Sequence, residues 1–277
     1  MRTKNTAVKV LYYIAIALLC AVFIYPFWWM VVNSFNDIND IFGPPTLLPR
    51  SFQWRNYVEI FTVQPFARQY MNTVLVAVAG TVGNLLASSL SGYAFARLRF
   101  PGRSALFILL LTALMMPIEV TIVPMYFMMR GIGLSDSLFP LIFIPMFCSQ
   151  GAFSAFMLRQ HYVTVPKEYE EAARLDGLSP MGIYFRIMLP IAVPVLSSCA
   201  ILAFLSVWNM YLEPLVFISS VSKYTLPLAL ANFNDSYGLP QWNLQLAATT
   251  LSVIPVMIVY LIFQEKISNA MVNSGLK

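Results

Sequence analysis

Apolar residues along this chain come in long blocks. Six of them, residues 10–33, 70–96, 104–129, 138–158, 190–218 and 244–264, are separated by shorter polar segments. A bilayer core about 30 Å thick takes about 20 helical residues to cross, so each block predicts a transmembrane helix. Four blocks hold no charge; Glu119 is the one charge in the third and Glu213 the one in the fifth. Pro26, Pro117, Pro124, Pro145, Pro214 and Pro255 fall inside blocks. Membrane helices tolerate them where neighbours satisfy the freed carbonyls. The fold class is all-α: a polytopic membrane protein with six transmembrane helices, one domain spanning 1–277.

Composition supports that reading. Of 277 residues, 59% are hydrophobic and 10% charged, against about 25% charged in an ordinary soluble domain. The net charge of +5 forms no basic stripe, which argues against nucleic acid as a partner. The cations report orientation instead, through the excess of Lys and Arg on the cytoplasmic side. Alternating spans place Arg50, Arg55, Arg68, Arg130 and Lys223 on one side and the remaining twelve of the 17 Lys and Arg on the other. Both termini are therefore expected in the cytoplasm. Arg2, Lys4 and Lys9 precede an apolar run too long for a cleavable signal, with Trp28 and Trp29 where small residues would be needed. The first span reads as a retained anchor. Cys20, Cys148 and Cys199 lie far apart, and His161 is the sole histidine, so no metal site or disulfide framework is indicated. Residues 36–69 read as an extended outer loop with a short interfacial helix over 54–61.

Small residues mark the second span. Ala79, Gly83, Ala87 and Ser91 form one i+4 ridge, and Gly80, Asn84, Ser88 and Gly92 the adjoining one. Two such rows let helices approach closely.

The cytoplasmic segment 164–189 is too long for a turn. Pro166 suits a first helical turn, and Glu168, Glu170 and Glu171 follow at the positive end of the helix dipole. Gly177 can close the helix in the left-handed conformation. Ser179-Pro180 then caps a second helix, with Ile183, Ile187 and Met188 as its apolar side and Pro190 opening the fifth span. The segment is predicted to be a helix, a glycine turn and a second helix.

Glu171-Ala172-Ala173, Gly177, Ile187 and Leu189-Pro190 stand at the spacing EAA-x3-G-x9-I-x-L-P. That pattern resembles the EAA motif of ABC importer permeases. Tyr93 to Arg97 with Phe100-Pro101-Gly102, Pro117 to Tyr126, Trp208-Asn209, and Lys223 to Pro227 are similar to the carbohydrate-uptake branch, the MalG-type maltose permease family. The chain departs from that branch at Leu178, commonly alanine, and at Glu213, commonly aromatic.

The resemblance implies a type I ABC importer permease fold in the inner membrane and a non-enzymatic transport subunit. It implies a coupling loop carrying Glu171, Ala172, Ala173, Asp176, Gly177, Ile187, Leu189 and Pro190, with Glu171 as the charged contact to a cytoplasmic ATPase. The C-terminal tail, 268–277, would lie near the ATPase pair. The implied partners are a homologous second permease, two ATPase subunits and an extracytoplasmic solute-binding protein. No Gly-Lys pair occurs anywhere, so a phosphate-binding P-loop is missing; ATP and Mg belong to the partner ATPase, and this chain is expected to bind no cofactor.

Charges at span depth usually face a cavity or a partner. Glu119, and Glu213 beside Trp208, Asn209 and Tyr211, are the candidate solute pathway, because sugars stack on rings and bond to polar groups. Three other readings stay open: a secondary transporter acting without an ATPase, a membrane scaffold or receptor without transport activity, and a permease for a non-sugar solute such as glycerol phosphate.

Overall fold

The computed structural model describes residues 2–234 and 237–275, with side chains described within 8–264. In chain order the helices are α1 (Arg2–Asn33), α2 (Ile38–Ile41), α3 (Arg55–Val63), α4 (Phe66–Arg97), α5 (Arg103–Met115), α6 (Ile118–Gly131), α7 (Phe139–Phe147), α8 (Ser149–Thr164), α9 (Glu168–Leu175), α10 (Pro180–Ile183), α11 (Leu189–Ile191), α12 (Val193–Trp208), α13 (Leu212–Phe217), α14 (Leu226–Leu230) and α15 (Trp242–Gly275). A π turn, Tyr184–Met188, joins α10 to α11. No strand occurs among the described residues. Lys277 and the end of the tail lie outside them, as do the side chains of Arg2, Lys4 and Lys266.

Four helical stretches are each long and apolar enough to cross a bilayer: Val8–Asn33, Phe66–Arg97, Phe139–Thr164 and Trp242–Gln264. The third and fifth blocks are not straight helices. The third bends by 106° between α5 and α6. Pro117 lacks an N–H and drives Met116 into an extended conformation, with φ −85° and ψ 114°. The fifth bends by 76° between Pro180–Ile191 and Val193–Trp208. The turn falls at Ala192, so Pro190 lies within a helix and does not open a span. The fifth block breaks again after Trp208, where the side chain of Asn209 donates to the Leu205 carbonyl at 2.8 Å. Counting each bent pair as one crossing gives six.

The chain falls into two compact units. The first comprises residues 1–66 and 230–254. The segment after α1 carries the short helix expected over 54–61 as α3, and the stretch before it, expected to be extended, is gathered around buried asparagines. Asn36 accepts from the Arg50 N–H at 2.8 Å, and Asn56 donates to the carbonyls of Ser34 and Asn36. Asn243 donates to Asn56 at 3.0 Å, tying in the start of α15. Phe35 stacks on Phe52 beside Trp54 and Tyr57. These contacts link positions far apart in sequence, which local turn signals do not report.

The second unit comprises 67–229 and 255–277. Here the two small-residue ridges of α4 meet α7, α8 and α12. A Cβ at Gly83 would lie 2.6 Å from the Met146 sulfur, and one at Gly92 would lie 3.0 Å from the Arg159 nitrogen. Gly80 faces Val207, and Asn84 donates to the Pro145 carbonyl at 2.7 Å. Close helix approach through glycine gives the packing that small residues allow.

The connections in this unit are locked by polar contacts. Asp136, at φ +52°, accepts from the N–H groups of Ser219 and Ser220, the Ser220 hydroxyl and the Lys223 ammonium. The Ser220 hydroxyl and N–H, then Lys223, hold its carboxyl well below the ordinary carboxylate range.

Candidate functional site

The segment 164–189 folds as a compact knob. In α9 the acidic residues of the first turn diverge: Glu168 and Glu171 are exposed, whereas Glu170 is buried. Glu170 Oε1 lies 3.0 Å from Arg97 Nε, with both side chains under 9% exposed. Arg97 also donates to the Val165 carbonyl, binding the last residue of α4 to the chain entering α9. Three positions on, Ala173 is buried on the same helix face, while Ala172 and Asp176 face outward.

The helix ends in a complete Schellman turn. Gly177 takes φ +80°, its N–H bonds to the Arg174 carbonyl, and the Leu178 N–H reaches back to Ala173 at 3.0 Å. Ser179 then accepts from the Gly182 N–H, capping α10. Ile187 and Leu189 are half-buried. They pack with Leu178 on a core of Tyr93, Leu158, Tyr162, Ile183, Tyr184 and Met188. Pro190 is exposed.

The motif residues therefore divide in two. Glu171, Ala172 and Asp176 present a surface, and Ala173, Ile187 and Leu189 fasten that surface to the membrane helices. The fastening was not read from the sequence. The Tyr184 hydroxyl pairs with Ser89 of α4 at 2.6 Å, and the Tyr93 ring lies 5.2 Å from that of Tyr184. The available signal was Arg97, the single charge terminating an uncharged span.

The outward side carries an apolar groove of about 380 Å³ between Tyr169, Ala172, Leu178 and Ile187, with Glu168 and Asp176 at its rim. Around it Leu175 is 91% exposed, and Met181 and Phe185 are also exposed. An apolar patch rimmed by charge is the usual form of a protein docking surface.

The candidate pathway residues are only partly gathered. α13 packs on α6, and these helices carry Glu213 and Glu119 in their first turns. Tyr211 is exposed beside them. Trp208 is buried, stacked on Phe204 and met edge-on by Tyr70. Asn209 spends its amide on the Leu205 carbonyl.

Comparison with known proteins gives a consistent result. The family model described as "Binding-protein-dependent transport system inner membrane component" matches residues 83–273. The chain is 32% identical over 273 residues to the arabinooligosaccharides transport system permease protein AraQ of Halalkalibacterium halodurans, covering 95% of each chain. It is 33% identical over 259 residues to the sn-glycerol-3-phosphate transport system permease protein UgpE of Pectobacterium atrosepticum, covering 91% of each. A chain of a bacterial ABC transporter involved in import of the acidic polysaccharide alginate superposes with a TM-score of 0.81 at 23% identity, over 95% of this chain and 97% of that one. The chain thus has the ABC importer permease fold and belongs to the family of inner membrane components of binding-protein-dependent transport systems.

Proposed function

We propose that this chain is one of two permease subunits of an ABC importer carrying a sugar or sugar-like solute into the cytoplasm. Its partners would be a homologous permease, two ATPase subunits holding ATP and Mg, and an extracytoplasmic solute-binding protein. Both termini and α9 would lie in the cytoplasm. The observation that carries the reading is the split of the coupling segment into an outward docking face and an inward mount. Closure of the ATPase pair would push on Glu171, Ala172 and Asp176. The Schellman turn and the buried cluster would pass that push to α4, α8 and α12 as one body, because packed side chains transmit displacement with little loss.

The sugar assignment draws on the relative AraQ. The relative UgpE keeps glycerol phosphate as the second reading. Glu119 and Glu213, on two helices that pack together, favour a neutral polyol, since carboxylates repel a phosphate.

Charge reversal at the docking face tests the proposal. Glu171→Lys is expected to lower uptake of radiolabelled sugar at least tenfold in cells, with the chain inserted in the membrane at its normal level. Unchanged uptake would remove Glu171 from the coupling role.

A further inference from the structure

A second cavity, of about 640 Å³, borders the side of α9 that carries Glu170 and Glu171, with Glu171 at its edge toward the docking face. Arg97, Arg99, Arg103, Lys167 and Arg174 line it against two carboxylates, Glu170 and Glu171. Glu170 is taken by Arg97, with Arg174 3.9 Å from its other oxygen. Among the described residues Arg99, Arg103 and Lys167 have no carboxylate within ion-pair distance. Five cations against two carboxylates leave the recess net positive, and like charges repel there, so it fits an anionic occupant.

The location narrows the kind of anion. Arg97 ends α4 and Arg103 begins α5, so the cations sit where two membrane-crossing segments leave the bilayer. Beyond Arg103, α5 buries none of its residues, and Leu106 and Leu109 are exposed on the turns that follow. Charge therefore runs directly into apolar helix surface. A free phosphate would use only the first part of that arrangement; a phospholipid would use both. Basic pockets at the cytoplasmic ends of membrane helices suit anionic headgroups.

We infer that this cavity binds the phosphodiester headgroup of an anionic phospholipid, its acyl chains along α5. The inference rests on the membrane placement of the proposed importer. A lipid there would touch Arg97 and Arg174, which brace Glu170, and so would steady the mount of the coupling helix from the bilayer side.

The test uses the permease–ATPase complex purified in its entirety and placed in phosphatidylcholine nanodiscs with added phosphatidylglycerol. Native mass spectrometry then counts the phosphatidylglycerol retained on release. The wild-type complex is expected to hold one more phosphatidylglycerol per copy of this chain than a variant carrying Arg99→Gln, Arg103→Gln and Lys167→Gln. The apparent affinity of the variant should fall on the order of a hundredfold, given the strength of each cation near a charged surface. Equal retention by the two complexes would overturn the inference. Displacement of the lipid by millimolar inorganic phosphate would also overturn it, assigning the site to a soluble anion. So would retention only after the ATPases are stripped away, which would make the cavity part of the ATPase interface. The importer reading is judged separately, by whether the ATPases and second permease are present in the same spectra.

Discussion

Glu170→Ala is expected to destabilise the folded protein by about 3–5 kcal/mol, the usual cost of leaving one member of a buried ion pair uncompensated. Glu170 and Arg97 are both almost fully removed from solvent, and the guanidinium has the Val165 carbonyl as its other partner. Losing the carboxylate strands a cation at the joint between α4 and the coupling segment. The effect should appear as a lower unfolding temperature in detergent and as uptake reduced in proportion to the folded fraction. Replacing both residues, as Arg97→Met with Glu170→Met, should recover most of the unfolding temperature, because an apolar pair of similar volume needs no charge partner. If the single variant melts like the parent, the pair does not hold the segment in place.

Gly151→Ala should have the next largest effect. The chain turns sharply at Cys148, at φ −88° and ψ −153°, and folds the start of α8 against the end of α7. A Cβ at Gly151 would stand 2.1 Å from the Met146 carbonyl oxygen and 2.6 Å from its carbon. Backbone has no rotamer with which to relieve that contact, so the two helices must separate. The expected cost is about 3 kcal/mol, at the upper end for overpacking. Gly177→Ala is the informative control. Its Cβ meets nothing within 4 Å, but φ is +80°, so the cost is about 1–2 kcal/mol of backbone strain alone. Unfolding temperatures that rank the two in the reverse order would contradict this account of the α7–α8 junction.

The sequence was most legible where the signal is local. Apolar blocks are a matter of solvent, and a helix followed by Gly177 and then Ser179-Pro180 carries its own stop and start. The broken spans were harder, because identical residues behave differently in different surroundings. Pro26 and Pro255 stay inside continuous helices, whereas Pro117 ends one and starts another at 106°. What decides between tolerance and breakage is which neighbours satisfy the freed backbone, and that is not written at the proline.

The site shows the same limit. Spacing identified Glu171 and Gly177, but it could not show that Glu170 turns inward to Arg97 while Glu171 turns outward. Nor could it show that Trp208, read as a stacking platform, is packed between Phe204 and Tyr70. Burial of a side chain depends on helices distant in sequence, and the pattern along one chain does not contain it.

The proposed assembly is an ATP-driven importer in which this chain is the membrane half. Its most direct test is a pull-down of the tagged chain from its native membrane in mild detergent, with every co-purifying protein identified. A P-loop ATPase and a second permease bearing an EAA loop are expected to be recovered, and any captured binding protein can then be screened for its sugar. Recovery of the chain alone, under conditions where the assembly is shown to be stable, would contradict the account and favour a transporter that works without an ATPase.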